Sequence, residues 1–274
     1  MIVYLGLFFW GLSMGSFLNV LIYRLEESED SADDGEKSKI LKSIAVGRSH
    51  CRQCKKQIDW YDNIPLLSFI ILRGKCRNCG QKISWQYPFV ELMTGILFVA
   101  VYSLSIDGLR FTVDNVVYLI GLLIIFSGLW AIFVYDFKHY IIPNKILYPL
   151  ILVVIALNLF TLSAVHYSFW DLVISFSVPL FFLSLIIISR GNWMGMGDVK
   201  LALFMALFLS WPNVLVATLA SFWLGTIASL PLLLMGKKGL KSQIPFGPFL
   251  IAGTLIAFFW GDEIIRWYLR LGYD

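Results

Sequence analysis

Long apolar runs with almost no charge constrain the fold of this chain more than any other feature. A bilayer core about 30 Å thick needs roughly 20 apolar residues in helical form. The 274-residue chain is 58% hydrophobic and only 15% charged, with a mean hydropathy of +0.76, which excludes an ordinary soluble enzyme. We therefore predict an all-α polytopic membrane protein with about eight transmembrane helices, at residues 2–23, 89–106, 116–135, 146–165, 172–189, 199–209, 214–235 and 246–260.

The first, sixth and seventh runs need separate arguments. No basic residue precedes the first run, no small-residue cleavage site follows it, and Arg24 comes directly after it. We therefore predict a retained helix rather than a signal peptide. The sixth and seventh runs are divided at Pro212, because proline cannot donate a backbone hydrogen bond and disfavours helix in the residue before it.

Lysine and arginine are distributed asymmetrically about the predicted membrane. All 22 of them except Arg110, Arg266 and Arg270 fall on one side, and residues 24–88 alone carry 12. Because basic loops stay in the cytoplasm, we predict an outer N-terminus, a cytoplasmic loop at 24–88, and a membrane domain at 89–274. The net charge of +4 follows from this topology, so we expect a lipid bilayer as partner and no nucleic acid.

All four cysteines lie in this loop, as the pairs Cys51/Cys54 and Cys76/Cys79. Two residues between ligands let one tight turn direct both sulfur atoms at one ion, and four thiolates complete the tetrahedral shell of a structural zinc. Neighbouring lysines and arginines favour the thiolate form. The alternatives are two disulfides, which a cytoplasmic location disfavours, four unrelated thiols, and a redox role for one pair, and His50 is an alternative ligand. We therefore predict a small zinc knuckle between the first two transmembrane helices.

The same loop begins with an acidic segment that has few apolar residues. Such a composition cannot bury enough apolar surface to become ordered. We therefore predict a flexible insert that begins with Glu26, Glu27, Glu29, Asp30, Asp33, Asp34 and Glu36.

Two aspartates are predicted to lie at the same membrane face. Asp136 and Asp198 are separated by two predicted crossings, which return the chain to its starting side. Gly195 and Gly197 precede Asp198 and allow backbone conformations closed to other residues, as well as close approach of a substrate strand. Acids near hydrocarbon are costly and indicate function, and two carboxylates that share one proton form the pair used by aspartic proteases. We predict Asp136 and Asp198 as the catalytic pair, supported by Gly195 and Gly197.

Other interpretations of these acids stay open at this point. Taken singly, Asp136 is a solvated loop acid near Lys138, and Asp198 is a helix cap. A transporter would use both acids in a proton or cation path, but that function favours mid-membrane acids and related halves, and no convincing internal repeat is visible. A zinc-bearing membrane scaffold without catalysis is the third possibility.

An ordered set of motifs resembles the type IV prepilin peptidases, the GxGD-type membrane aspartic proteases. The likeness covers most of the chain, and it is specific as a set rather than at any single motif. It comprises both cysteine pairs and residues 15–20, 23–24, 60–65, 73–76, 87–88, 91–92, 136–144, 195–200 and 245–248.

The resemblance implies that Asp136 and Asp198 remove a basic leader from type IV prepilins or pseudopilins, at the cytoplasmic face of a bacterial inner membrane. For many members it also implies N-methylation of the new terminal residue with S-adenosylmethionine, an activity associated with the cysteine-containing domain. The sequence has no Gly-rich methyl-donor motif, and its acidic insert is longer than the resemblance leads us to expect. We expect Glu91 or this insert to hold the basic leader.

Overall fold

The computed structural model describes residues 1–30, 47–105, 112–160, 169–234 and 245–271, and these form helices and turns with two isolated β-bridges and no strand. The chain divides into two compact units, Met1–Leu109 and Arg110–Asp274. The first unit therefore includes the second long helix, which the sequence grouped with the later membrane helices.

The first unit is built on two long helices that pack closely against each other. Its elements are α1 (Ile2–Asp30), a short 3-10 helix (Trp60–Asn63), α2 (Leu67–Ile71) and α3 (Gln86–Ser105). A Cβ atom on Gly11 would lie 2.7 Å from the Cα of Gly95, and one on Gly15 would lie 2.6 Å from the Cα of Glu91. Small residues spaced four apart therefore let α1 and α3 approach, as membrane helices commonly do.

Helix α1 continues beyond the predicted membrane segment and includes the first residues of the acidic insert. It ends at Asp30, so the prediction of a flexible segment is wrong for residues 26–30. Arg52 donates a hydrogen bond at 3.5 Å to Glu26, and Tyr23 donates one at 3.5 Å to Glu27. Asp33, Asp34 and Glu36 lie outside the described residues.

The second unit surrounds one long buried helix. Its elements are α4 (Val113–His139), α5 (Asn144–Phe160), α6 (Phe169–Ser175), α7 (Ser177–Ser189), α8 (Met196–Leu209), α9 (Asn213–Leu234) and α10 (Gly247–Leu271). The Thr112 side chain caps α4, accepting from the backbone N–H of Asn115 at 3.4 Å. At mid-helix, Phe126 packs against Phe208 and Phe258, with ring centroids 5.9 and 4.9 Å away. Helix α4 is therefore buried on most sides, as its almost unbroken apolar sequence requires.

A helix is present at each of the eight predicted membrane segments, although not all are full length. Within the described ranges, six stretches are long and apolar enough to cross a bilayer: 2–29, 86–105, 113–139, 170–189, 213–231 and 247–270. Helices α5 and α8 have 17 and 14 residues. At 1.5 Å per residue they span roughly 26 and 21 Å, less than the hydrocarbon core.

The fifth predicted segment is divided into α6 and α7 at Phe176. Pro179 explains the break, because it has no backbone N–H to bond the carbonyl of Ser175 four residues earlier. The chain continues in nearly the same course, since the N–H of Leu180 still bonds the Phe176 carbonyl at 3.2 Å.

Candidate active site and metal centre

Asp136 lies in the last turn of α4 and is almost completely buried, with 3% of its surface exposed. Helix α4 ends at Tyr140, which adopts a left-handed conformation and donates its N–H to the Asp136 carbonyl at 2.9 Å. The backbone N–H of Gly247, the first residue of α10, donates to the Asp136 carboxylate. A Cβ on Gly247 would collide with Oδ2 of that carboxylate. Any other residue at position 247 would therefore displace the Asp136 carboxylate from this position.

Asp198 lies in the first turn of α8, at the positive end of the helix dipole. Its Oδ2 accepts a hydrogen bond from the backbone N–H of Gly195 at 3.3 Å, while the N–H of Asp198 bonds the Gly195 carbonyl at 3.2 Å. The side chain is therefore a helix cap, as the simpler interpretation of the sequence proposed. Capping uses one carboxylate oxygen of Asp198 and leaves the other available for hydrogen bonding or proton transfer.

The segments that carry the two aspartates meet at Ile142. A Cβ on Gly197, next to Asp198, would lie 3.2 Å from the Cβ of Ile142, and one on Gly247 would lie 3.3 Å from its Cδ1. The negative charge of Asp136 acts on Asp198. The structure therefore brings the two predicted acids to one place, with Gly247 and Gly197 packed on the same isoleucine.

A polar contact also connects the two motifs. Lys200, in the first turns of α8, donates a hydrogen bond at 3.0 Å to Oδ1 of Asn144, the first residue of α5. The Lys200 ammonium also lies 5.4 Å from the ring centroid of Tyr148. These contacts hold the start of α8 beside the segment that follows Asp136.

The two motif glycines act differently from the prediction. Gly195 has φ −87° and ψ 156°, an extended conformation that any residue can adopt, and Gly197 does not have a positive φ. The expectation of backbone conformations closed to other residues is therefore wrong. Gly197 instead packs closely on Ile142, and the predicted close approach of a substrate strand stays a prediction. The family resemblance included Gly247 within residues 245–248 but gave it no role beside the aspartates.

Two adjacent carboxylates can exchange roles as proton donor and acceptor. When one is ionised and the other protonated, the first can take a proton from water and the second can hydrogen-bond a carbonyl oxygen. The two groups then titrate as a pair rather than as separate acids. Hydrolysis of a peptide bond requires these two actions.

The four cysteines form one cluster in the first unit. None is in a disulfide, and their Sγ atoms all lie within 4.8 Å of one another. Tetrahedral coordination with Zn–S distances of ~2.3 Å places sulfur atoms about 3.8 Å apart. The Sγ atoms of Cys51 and Cys79 are 3.8 Å apart. The four thiols therefore have the positions of a metal-binding set, which does not include His50.

The cluster consists of two equivalent turns, 25 residues apart. The N–H of Lys55 bonds the Cys51 carbonyl at 3.0 Å, and the N–H of Gly80 bonds the Cys76 carbonyl at 2.9 Å. Lys55 and Gly80 both have positive φ, 55° and 70°. Two β-bridges flank the turns in the same register, between His50 and Gln57 and between Lys75 and Lys82. The knuckle is therefore an internal duplication of the pattern C-R-x-C-x-x-x-I-x-W, which sequence reasoning overlooked.

Local hydrogen bonds set the charge state of the knuckle. The backbone N–H of Cys54 stabilises the thiolate of Cys51 and lowers the pKa of that thiol to about 6, which favours metal binding. Arg77 makes a two-pronged ion pair with Asp62, at 2.7 and 2.6 Å, and its hydrogen bonds lower the pKa of that carboxyl. This pair connects the second turn to the 3-10 helix after the first.

Glu91 has a structural position, and its predicted contact with a leader stays a prediction. It is 7% exposed, and its Oε2 accepts the backbone N–H of Leu66 at 2.8 Å. Leu66 has φ 59° and ψ −48°, a sparsely populated conformation that costs about 1–3 kcal/mol. The hydrogen bond from Glu91 offsets part of that cost and fixes the entry to α2.

Comparison with known proteins assigns the family. Residues 9–104 match the bacterial peptidase A24 N-terminal domain, and residues 123–230 match the type IV leader peptidase family. The prepilin leader peptidase/N-methyltransferase of Legionella pneumophila is 33% identical over 97% of this chain and 94% of its own length. The chain belongs to the type IV leader peptidase family. Proteins of the same name from Aeromonas hydrophila and Pseudomonas aeruginosa are 32% and 30% identical, over 96% and 95% of this chain and 92% and 91% of their own lengths. No solved structure matches the chain.

The matched regions of the family agree with the division of the structure. The A24 N-terminal match falls within the first unit and contains the four cysteines, whereas the leader peptidase match falls within the second and contains Asp136 and Asp198. The resemblance seen in the sequence is therefore confirmed, as is an all-helical membrane fold with a four-cysteine cluster.

Proposed function

We propose that this member of the leader peptidase family is a membrane aspartic endopeptidase that removes the leader of type IV prepilins or pseudopilins, and that it N-methylates the new terminus. Its relatives carry the name prepilin leader peptidase/N-methyltransferase. The observation that carries the proposal is the meeting of Asp136 and Asp198 beside Gly247, Ile142 and Gly197. That arrangement supplies a general base and a general acid at one site.

The proposed reaction needs one water molecule and one shared proton. The ionised carboxylate takes a proton from water, whose oxygen attacks the scissile carbonyl carbon, while the protonated carboxyl hydrogen-bonds the carbonyl oxygen. The tetrahedral intermediate then collapses as its C–N bond breaks, and the leaving amine gains a proton from the pair. Gly195 and Gly247, whose N–H groups donate to the two carboxylates, hold them in position during these steps.

The protein is a multi-pass membrane protein, and its placement in the membrane follows from charge. We propose that the N-terminus faces outside and that the aspartate pair and the knuckle face the cytoplasm, because basic residues concentrate on that side. Asp136 lies near the end of α4 and Asp198 near the start of α8, so both are close to a helix end rather than at mid-membrane. That position suits a cut at the junction between a soluble leader and an apolar helix. It also disfavours the transporter interpretation, which nothing in the family supports.

Two non-protein groups are part of the proposal. Zinc fits the four thiols of Cys51, Cys54, Cys76 and Cys79, where it would stabilise a knuckle that has little apolar core of its own. S-adenosylmethionine supplies, when bound, an electrophilic methyl group for the amine that cleavage releases. The first unit contains a cavity of about 540 Å³, within the size range of small-molecule sites.

The test is the mass and N-terminal sequence of a prepilin co-expressed with the enzyme. We expect leader loss and a separate mass increase of one methyl group with the unsubstituted enzyme. Asp136→Asn and Asp198→Asn should each abolish leader loss, because neither variant can supply both the base and the acid. Asp171→Asn, an acid of the same unit that lies in α6, is the matched control and should process normally. Full processing by either Asn variant would exclude the proposed mechanism.

A further inference from the structure

The cavity of the first unit is lined by one face of α1. Ser16, Val20, Tyr23 and Glu27 recur every three or four residues and share this face with Asn19 and Arg24. The opposite walls come from the two cysteine turns and from the start of α3, including Tyr87 and Glu91. The cavity therefore lies wholly within residues that one compact unit contains, and its volume of about 540 Å³ exceeds that of a few waters.

Two buried polar atoms on the α1 wall lack partners in the part of the chain that the structure describes. Asn19 is 2% exposed and Arg24 is 7% exposed, yet the Oδ1 of Asn19 and the Nη1 of Arg24 make no hydrogen bond there. The other end of the Asn19 amide is fixed, because its Nδ2 donates to the Tyr87 carbonyl at 3.1 Å. A buried polar atom without a partner is destabilising, so such atoms beside a cavity indicate a ligand.

Of the other lysines and arginines that line the cavity, Arg48, Lys55 and Lys82 are exposed, and the remaining three have partners. Arg52 donates to Glu26 and lies over the Tyr23 ring, 4.3 Å from its centroid. Arg77 is paired with Asp62, and Lys56 donates to Asn78 at 2.8 Å. The guanidinium of Arg24 is therefore the buried cation with a donor still open, and it suits a planar anion such as a carboxylate.

The unpaired Nη1 of Arg24 and Oδ1 of Asn19 favour a ligand that carries both a negative and a positive charge. Arg24 offers a donor to an anionic group, whereas the side-chain carbonyl oxygen of Asn19, five residues earlier on α1, offers an acceptor to an ammonium group. Glu91 adds a buried carboxylate to the lining of the same cavity. An α-amino-carboxylate presents both an ammonium and a carboxylate on neighbouring atoms.

We propose that this cavity binds S-adenosylmethionine through its amino-acid end, with Arg24 on the carboxylate and the Oδ1 of Asn19 on the ammonium. The inference rests on the methyl-transfer part of the proposed function and assigns residues to it. It places the methyl-donor site on α1 and the cysteine turns, rather than on a Gly-rich loop, which explains why the sequence shows no such motif.

The first test changes the ligand and leaves the protein intact. Binding to the purified full-length protein in detergent is measured by isothermal titration calorimetry, with S-adenosylmethionine and with its decarboxylated analogue. Because a hydrogen bond to a charged group contributes about 1.5–3 kcal/mol, loss of the carboxylate should weaken binding at least about tenfold. Equal affinity for the two ligands would overturn the assignment of Arg24.

The second test changes the protein. Arg24→Gln should weaken S-adenosylmethionine at least about tenfold and leave the decarboxylated analogue unaffected, since Arg24 would contact only the missing group. Asn19→Leu should weaken both ligands, because both retain the ammonium. Arg73→Gln removes the same charge from the same unit at an exposed position outside the cavity, and it should bind both ligands normally. Zinc content and thermal unfolding temperature report whether each variant is folded.

The outcomes separate this inference from the proposed function. If the unsubstituted enzyme methylates its product but Arg24→Gln binds S-adenosylmethionine with unchanged affinity, the cavity assignment is overturned and methyl transfer stands. If the unsubstituted enzyme neither binds S-adenosylmethionine nor methylates, both are overturned. Equal weakening of both ligands by a folded Arg24→Gln variant also contradicts the proposed carboxylate contact.

Discussion

Replacing Gly247 by alanine should damage the aspartate pair directly. The added Cβ would collide with Oδ2 of Asp136 and would lie 3.1 Å from its Cγ and 3.3 Å from Cδ1 of Ile142, inside ordinary contact distances. The carboxylate must retreat by roughly 1 Å, and a misplacement of that size costs about 100-fold in rate, or about 2.7 kcal/mol. Helix propensity favours alanine over glycine, so helix α10 itself should not be weakened.

The assay for this substitution is kcat/KM for cleavage of a purified prepilin in detergent. Gly225→Ala is the matched control in the same unit, because its Cβ would lie 3.6 Å from the nearest atom, an ordinary contact. We expect Gly225→Ala to retain the unsubstituted rate and Gly247→Ala to lose most of it, while both keep their zinc content. Equal rates for the two variants would refute the argument that Gly247 fixes the Asp136 carboxylate.

Three further predictions concern the knuckle. Cys54→Ser should reduce bound zinc, measured by mass spectrometry of the metal, from one equivalent per chain to almost none; retention of a full equivalent would exclude four-thiolate coordination. Because both positions have positive φ, Lys55→Gly should slow zinc loss to a chelator and Gly80→Ala should speed it, with a change of about 1 kcal/mol in the activation free energy in each case. Rate changes of the same sign in both variants would contradict the equivalence of the two turns. Asp62→Asn should speed amide hydrogen exchange in residues 60–77 at neutral pH. Because Arg77 lowers the pKa of Asp62, the ion pair stabilises the fold above the ordinary carboxyl pKa, and its contribution is lost as the pH falls through the lowered value, so the difference should shrink below about pH 4. A difference that is independent of pH would count against the ion pair.

The membrane helices could be predicted because a bilayer leaves the backbone few alternatives. Every backbone polar group must be satisfied within the segment, so an apolar run of sufficient length is a helix. Helix boundaries were less predictable. Helix α1 extends through Glu26 to Asp30, and Glu26 accepts a hydrogen bond from Arg52, which lies in another part of the fold. Local composition alone indicated disorder there.

The aspartate pair was predictable in part. Counting crossings placed Asp136 and Asp198 on one side, and the family motif identified both. Gly247 belongs to a quoted motif, residues 245–248, but its contact with Asp136 was not predictable, because the two residues are far apart along the chain. Gly195 and Gly197 were assigned a backbone role that suits glycine in general, whereas the structure uses Gly197 for close packing on Ile142.

The metal site of the cysteine cluster was predicted, but its internal duplication was not. Spacing within each pair predicted a metal site, and the four Sγ atoms do come together. The duplication was visible in the letters, since Cys-Arg-x-Cys recurs with Ile and Trp at matching positions. The unsatisfied atoms of Asn19 and Arg24 have no sequence signature, because burial and missing partners exist only in the folded chain.

A measurement of the distance between positions 136 and 198 tests the central claim most directly. Asp136→Cys and Asp198→Cys are combined, the zinc-loaded protein is treated with a short bifunctional thiol reagent, and the linked peptides are identified by mass spectrometry. We expect a 136–198 cross-link in high yield and almost none when Asp171→Cys replaces Asp136→Cys. Absence of the 136–198 product, or equal yields from the two pairs, would contradict a shared site and with it the proposed hydrolysis.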